Sequence, residues 1–219
     1  MSAMQFLVWV RGPGLQWSVA ILIAGVLLRM FEILSLGRRP DLSEPRTATR
    51  GSGWRTVVMR SIPPASVFRT APALFILGYL FHLGLLASVA LFVPHLELLR
   101  RILGLAWPGL PSPLVDAAAL VALVALLMVL VYRLRDPVRR RLSTVEDYLV
   151  WALTFVPLAT GYCAFHHLLL PYTAMLAVHI LSVELLLAAV PFTKLSHAYT
   201  LLLARWYAGA IAARKGVVT

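Results

Sequence analysis

Residues 113–132 read PLVDAAALVALVALLMVLVY. Past Asp116 the run carries no charge, and at ~1.5 Å per residue it is long enough to cross the ~30 Å of hydrocarbon in a bilayer. It does not alternate polar and apolar residues, so it does not read as a barrel strand. Leu15–Leu36, Ala71–Val93, Asp147–Phe165 and Leu170–Phe192 share its length and character. The sequence therefore predicts an all-α integral membrane protein. A bundle of five transmembrane helices fills residues 1–197, and a mixed apolar and basic tail follows over 198–219.

Composition agrees. Hydrophobic residues make up 60% of the 219 positions and charged residues 13%, against roughly half and a quarter in soluble domains. A chain this apolar needs lipid over part of its surface. Its net charge of +11, from 20 Lys and Arg against 9 Asp and Glu, would suggest nucleic acid in a soluble protein. Here the cations lie in loops between apolar runs, so they read as orientation signals and no nucleic-acid partner is expected. One cysteine, Cys163, excludes an internal disulfide and any CxxC metal or cluster site. The first apolar run is long enough to span and lacks a small-residue cleavage site, so it reads as a span rather than a signal peptide.

The cations alternate between loops. Arg38, Arg39, Arg46, Arg50, Arg55, Arg60 and Arg69 fall in the first loop, and Arg133, Arg135, Arg139, Arg140 and Arg141 in the third. Lys194, Arg205, Arg214 and Lys215 lie at the C-terminal end, while the other side holds Arg11, Arg100 and Arg101. The positive-inside rule then puts the N-terminus outside and the C-terminus in the cytoplasm.

Ionisable groups inside membranes are costly and usually functional. His82 lies in the second span and His95 just past its outer end; His179 lies in the fifth span and His197 just past its inner end. The two helices run in opposite directions, so His82 and His197 share the inner depth and His95 and His179 the outer depth. Two imidazoles at one depth are the ligand set of a haem iron held between helices. No CxxCH occurs, so the expectation is two b-type haems, with these four histidines as the metal ligands. His179 and His197 are 18 residues apart, five even turns of one face and about 27 Å on a straight helix. His82 and His95 are 13 apart, which rotates His95 about 140° off the common face. Either Pro94 breaks the helix and returns His95, or His166 or His167, on the same side, ligates the outer haem instead. Pro191 is the expected irregularity in the fifth helix.

Several of these residues resemble the gamma subunit of respiratory nitrate reductase. Phe81-His82-Leu83-Gly84-Leu85-Leu86 is similar to its second helix, and Pro191-Phe192-Thr193-Lys194-Leu195-Ser196-His197 to the end of its fifth. The interval from His179 to His197 matches as well. So does the third loop, with Arg135, Pro137, Val138 and Arg139 leading into Asp147, and Met4-Gln5-Phe6-Leu7 is a weaker echo. The resemblance implies a di-haem cytochrome b of the cell inner membrane. Such a subunit anchors a cytoplasmic iron–sulfur or molybdenum-type redox subunit and relays electrons inward from quinol at the outer face. It assigns His82 and His197 to the inner haem, and His95 and His179 to the outer. The interval between the second-helix histidines is longer here than in nitrate reductase, which points to related anchors of heterodisulfide-reductase-like and sulfur-metabolising complexes.

Other polar residues have candidate roles beside this scheme. Arg100, Arg101 and Asp116, in or next to the outer loop, are candidate contacts for quinone. Lys194, Arg69 and Arg133 stand where cations reach haem propionates, or snorkel. Glu184, mid-helix in the fifth span, is either a protonated hydrogen-bonding group or part of a proton path. The alternative function is a non-redox membrane transporter or assembly protein with structural or metal-binding histidines. The charge pattern predicts that a reporter fused after Thr219 is active in the form that works in the cytoplasm and silent in the form that works outside. The opposite result would invert the topology.

Overall fold

The computed structural model describes residues 1–36, 44 and 52–217. Arg38, Arg39, Arg46 and Arg50 of the first basic loop lie outside the described residues, as does Thr219. Helices account for nearly all of the rest: α1 (Ala3–Trp9), α2 (Leu15–Ser35), α3 (Ser52–Met59), α4 (Ala65–Thr70), α5 (Pro72–Leu91), α6 (Val93–Leu103), α7 (Ser112–Arg135), α8 (Pro137–Leu142), α9 (Val145–Phe165), α10 (Tyr172–Ala189) and α11 (His197–Arg214). No strand occurs among the described residues. Five helical stretches are long and apolar enough to cross a membrane: Ala3–Ser35, Pro72–Leu91, Ser112–Arg135, Val145–Phe165 and Tyr172–Phe192. The protein is an all-α, multi-pass membrane protein, as its apolar runs predict.

The first span begins at Ala3, not Leu15. Ser2 and Gln5 form a capping box that starts α1. Pro13 has no N–H and crowds the carbonyl one turn back. A wider π turn, Val10–Gly14, absorbs it, and the helix continues as α2. Arg11-Gly12-Pro13-Gly14 looks like a break in the sequence, yet the backbone passes through it.

A second difference lies after the second span. The segment read as a proline-rich loop opens with an amphipathic helix, α6. Phe92 is extended (φ −80°, ψ 122°), Pro94 occupies the first turn of α6, and Gly104 closes it in the left-handed region (φ 69°). The break matters because a helix end leaves carbonyls unpaired. Three carbonyls at the end of α5 are met from beyond the break. His95 Nδ1 donates to Ser88 O at 2.7 Å, Trp107 Nε1 to Ala90 O at 2.7 Å, and the Leu110 amide to Leu91 O at 2.9 Å.

The fifth span is irregular at Pro191, as the sequence predicts. After α10 the chain tightens into a 3₁₀ turn at Val190–Phe192, with Pro191 inside it, and Thr193 is fully extended (φ −125°, ψ 178°). His197 opens a new helix, so it does not continue the face of His179 on one straight rod.

Contacts group the chain into two compact units. The first comprises Met1–Ile21 and Ala73–Ala188. In it Ala122, Leu123 and Leu158 are buried under Phe81, Leu85, Phe155, Ala159 and Tyr162, which joins α5, α7 and α9. Trp151 on α9 donates to Leu126 O on α7 at 2.8 Å. A separate cluster of Leu7, Val10 and Ala177 packs the N-terminal segment on α10. Asp136 caps α8 by accepting from the Val138 and Arg139 amides. The Arg139 guanidinium bonded to the same carboxyl holds it below the usual carboxylate range. The second unit comprises Leu22–Pro72 and Ala189–Thr219. There α3 packs on α11, with Trp206 over Gly53. The mixed apolar and basic tail is therefore, over 197–214, a helix with an intramolecular partner.

Gly84 sets the approach of α5 to α7. A Cβ there would collide with the Ala118 carbonyl and stand 2.8 Å from Ala122 Cβ, whereas at Gly78 nothing lies within 4 Å. Gly84→Val should destabilise the purified protein by about 1–3 kcal/mol, the usual cost of overpacking. Gly78→Ala should leave the thermal midpoint unchanged or higher. Equal behaviour of the two variants would remove Gly84 from the helix contact.

Candidate functional site

The four histidines singled out by depth share one local chemistry. Each has Nδ1 on a backbone carbonyl: His82 on Gly78 O at 2.7 Å, His95 on Ser88 O at 2.7 Å, His179 on Pro157 O at 3.1 Å and His197 on Lys194 O at 2.7 Å. A carbonyl only accepts, so a neutral ring at each place carries its proton on Nδ1 and its lone pair on Nε2. This is the second-sphere arrangement usual for metal-ligating imidazoles.

Two of them meet. His95 and His179, both in the first unit, have ring centroids 6.2 Å apart and planes inclined by 22°. His179 is further held by Thr160, whose hydroxyl lies 3.3 Å from Nδ1 and 3.1 Å from the Ser182 hydroxyl. Gly161 makes room for the ring, since a Cβ there would stand 2.9 Å from its Cε1. Phe92 packs edge-on against His95 at 5.3 Å and against Phe165 at 5.6 Å. Elsewhere, His82 stands exposed on α5 with Phe81 edge-on at 4.8 Å, and His197, at the start of α11 in the second unit, is exposed as well.

His166 and His167, the alternatives to His95, have other surroundings. His166 Nε2 bonds Asp116 Oδ1 at 2.8 Å, and its ring lies against Tyr162 and Phe165. His167 is in the left-handed region (φ 56°), with its ring by Tyr172. Among the outer-loop candidates, Arg100 and Arg101 are exposed and both reach Glu97, at 3.8 and 3.1 Å. Asp116 is engaged by His166. Arg133 bonds Ser143 Oγ at 2.9 Å and reaches Asp147 at 3.6 Å. Among the described residues no group of three or more His, Cys, Asp or Glu converges on a point.

A protein of Nitratidesulfovibrio vulgaris (strain Hildenborough) is 28% identical over 206 residues, covering 92% of this chain and 91% of its own. No protein-family model matches the chain, and no solved structure does. The relative is similar over nearly its whole length, so the likeness is to the entire membrane unit and not to one motif.

Sequence reading missed three parts of the site. The His166–Asp116 pair joins residues 50 apart, and neither sequence neighbourhood signals it. The Thr160–Ser182–His179 network is equally hidden, because mid-span hydroxyls usually bond their own helix. The third is α6. Pro94 followed by apolar residues at helical spacing and a terminal Gly104 is a helix signature that could have been found. Gly161→Val should push the His179 ring off the Pro157 carbonyl. Mass-spectrometric mapping after diethyl pyrocarbonate treatment should then show His179 modified faster than in the unaltered protein. An unchanged rate would mean the ring is not held by this contact.

Proposed function

We propose that this protein is the membrane-anchoring, di-haem cytochrome b subunit of a respiratory complex, relaying electrons between quinol and a cytoplasmic iron–sulfur or molybdenum-type partner. The observation that carries the reading is the His95–His179 pair. These two rings approach to 6.2 Å between centroids, and they are the residues that would hold an iron between the two helices. Both rings have Nδ1 tied back and Nε2 left as the ligating nitrogen. In this reading His95 and His179 hold the outer b haem; the assignment of His82 and His197 to the inner one comes from their common depth in the sequence and from the resemblance alone. A haem bound in this way supplies one-electron transfer at each site.

The chain's own residues do the rest. The Ser88 and Pro157 carbonyls fix the ring tautomers, and Phe92, Thr160 and Gly161 fix the ring positions. Quinol oxidation releases protons as well as electrons, so a base is needed beside the outer site. His166, oriented by Asp116, is a carboxylate–imidazole pair of the kind that accepts such protons. Phe92 and Phe165 bridge this pair to His95 through successive ring contacts. Arg100 and Arg101 stand on α6 as the candidate polar contacts for the quinone ring. The proposed orientation, with N-terminus outside and C-terminus in the cytoplasm of the cell inner membrane, releases those protons outside. The likeness of the segments around His82 and His197 to nitrate reductase gamma subunit is what suggests the class of soluble partner.

Reduced-minus-oxidised spectra of the purified protein should show two b haems per chain. His95→Ala and His179→Ala should each lose one, and His166→Gln should keep both. Asp116→Asn and His166→Gln should slow haem reduction by a quinol analogue by about 10²-fold or more, the usual weight of general-base catalysis. A colourless preparation from haem-replete cells would instead support the transporter or assembly reading. Loss of haem in His166→Gln, with retention in His95→Ala, would reassign the ligand.

A further inference from the structure

Glu184 is the group in the first unit whose surroundings fit its chemistry least. It is 5% exposed, and its Oε1 has no hydrogen-bond partner. Among the described residues no cation lies within ion-pair reach of it. An isolated carboxylate in an apolar slab is strongly disfavoured. A carboxylic acid without an acceptor is unsatisfied too, so packing alone does not account for either form.

What faces the carboxyl is backbone. A Cβ on Gly14 would stand 2.8 Å from both carboxyl oxygens and 3.1 Å from Cδ, so the absence of a side chain at Gly14 is what admits the group. Gly14 closes the π turn Val10–Gly14, and π turns inside α-helices concentrate at functional sites. The charged side chain on that turn, Arg11, is exposed. The following residues, Leu15–Ile21, bring no titratable side chain, and Ser18 bonds its own helix at Leu15 O. On α10 itself the nearest titratable group is His179, five residues earlier, about 7.5 Å along the axis.

We propose that Glu184, received by Gly14 of the π turn, is a proton-binding site within the membrane whose occupancy is linked to the redox state of the His95–His179 centre. The inference rests on the reading of that pair as haem ligands. One electron arrives from a reductant, quinol in the membrane or dithionite in the cuvette. The carboxylate then forms one O–H bond with a proton from the aqueous phase and becomes the neutral acid. When the electron leaves, that bond breaks and the proton returns to water. Oxidation adds one positive charge at the centre. That charge acts through a medium of low dielectric and is the cation the carboxylate otherwise lacks.

The test is a redox titration of the outer haem across a range of pH in the unaltered protein and in Glu184→Gln, with haem content read from the same spectra. The potential of the unaltered protein should fall as pH rises, by at most about 59 mV per tenfold change in proton concentration for one electron. In Glu184→Gln the potential should be flat over that range with haem content unchanged. The redox-difference infrared spectrum should show a protonated-carboxyl band that is absent in Glu184→Gln. Should that variant not fold, Glu184→Asp and Gly14→Ala should each shift the band. A slope and band identical to the unaltered protein in every folded variant would overturn the proposal and leave the haem assignment intact. Absence of haem from the unaltered protein would overturn the haem assignment and the linkage together, and the spectrum alone distinguishes the two cases.

Discussion

The unpaired carbonyls at the end of α5 determine most of what is distinctive here. In lipid, or at its edge, an orphan carbonyl cannot rely on water, so protein must meet it. The chain meets three of them with His95, Trp107 and the Leu110 amide. Each bond pulls part of the following segment back over the helix it has just left. His95 reaches α10 because it caps α5, and its imidazole is oriented by the same bond. The capping requirement and the orientation of the imidazole are one structural solution, and the short extended step at Phe92 makes it possible.

The spans were legible because hydropathy over about twenty residues is a strong signal, and their ends moved little. The exceptions have local causes. Residues 3–14 looked like a flank because Arg11-Gly12-Pro13-Gly14 interrupts the apolar run, but a π turn carries the helix through the proline. The outer segment looked like a loop because Pro94, Pro108 and Pro111 dominate it, though Pro94 sits at a helix start where its missing N–H does no harm. Depth alone grouped His95 with His179, while helical phase argued against His95. The phase argument holds only for a continuous helix, and the break that Pro94 suggested is present at Phe92. The partner of His166, the neighbour of Glu184 and the hydroxyls around His179 come from distant parts of the chain, and no local pattern encodes them.

The second unit follows a different logic. Its contacts are short helices and small residues: Trp206 on Gly53, Pro191 and Phe192 on Gly25, and Arg205 on Ser61 at 2.9 Å. Arg29 donates to Pro191 O at 3.4 Å and pairs with Glu32, so a span-embedded cation is spent on the carbonyl of a broken helix. Here too the polar groups freed by an irregular turn find side-chain partners.

The extended step at Phe92 also changes what fixes the position of His95. A residue whose position is set by a cap rather than by a helix face does not count turns. The bond to Ser88 O, and not the helical phase inherited from His82, places the imidazole. The break at Phe92 thereby uncouples the register of residue 95 from that of α5.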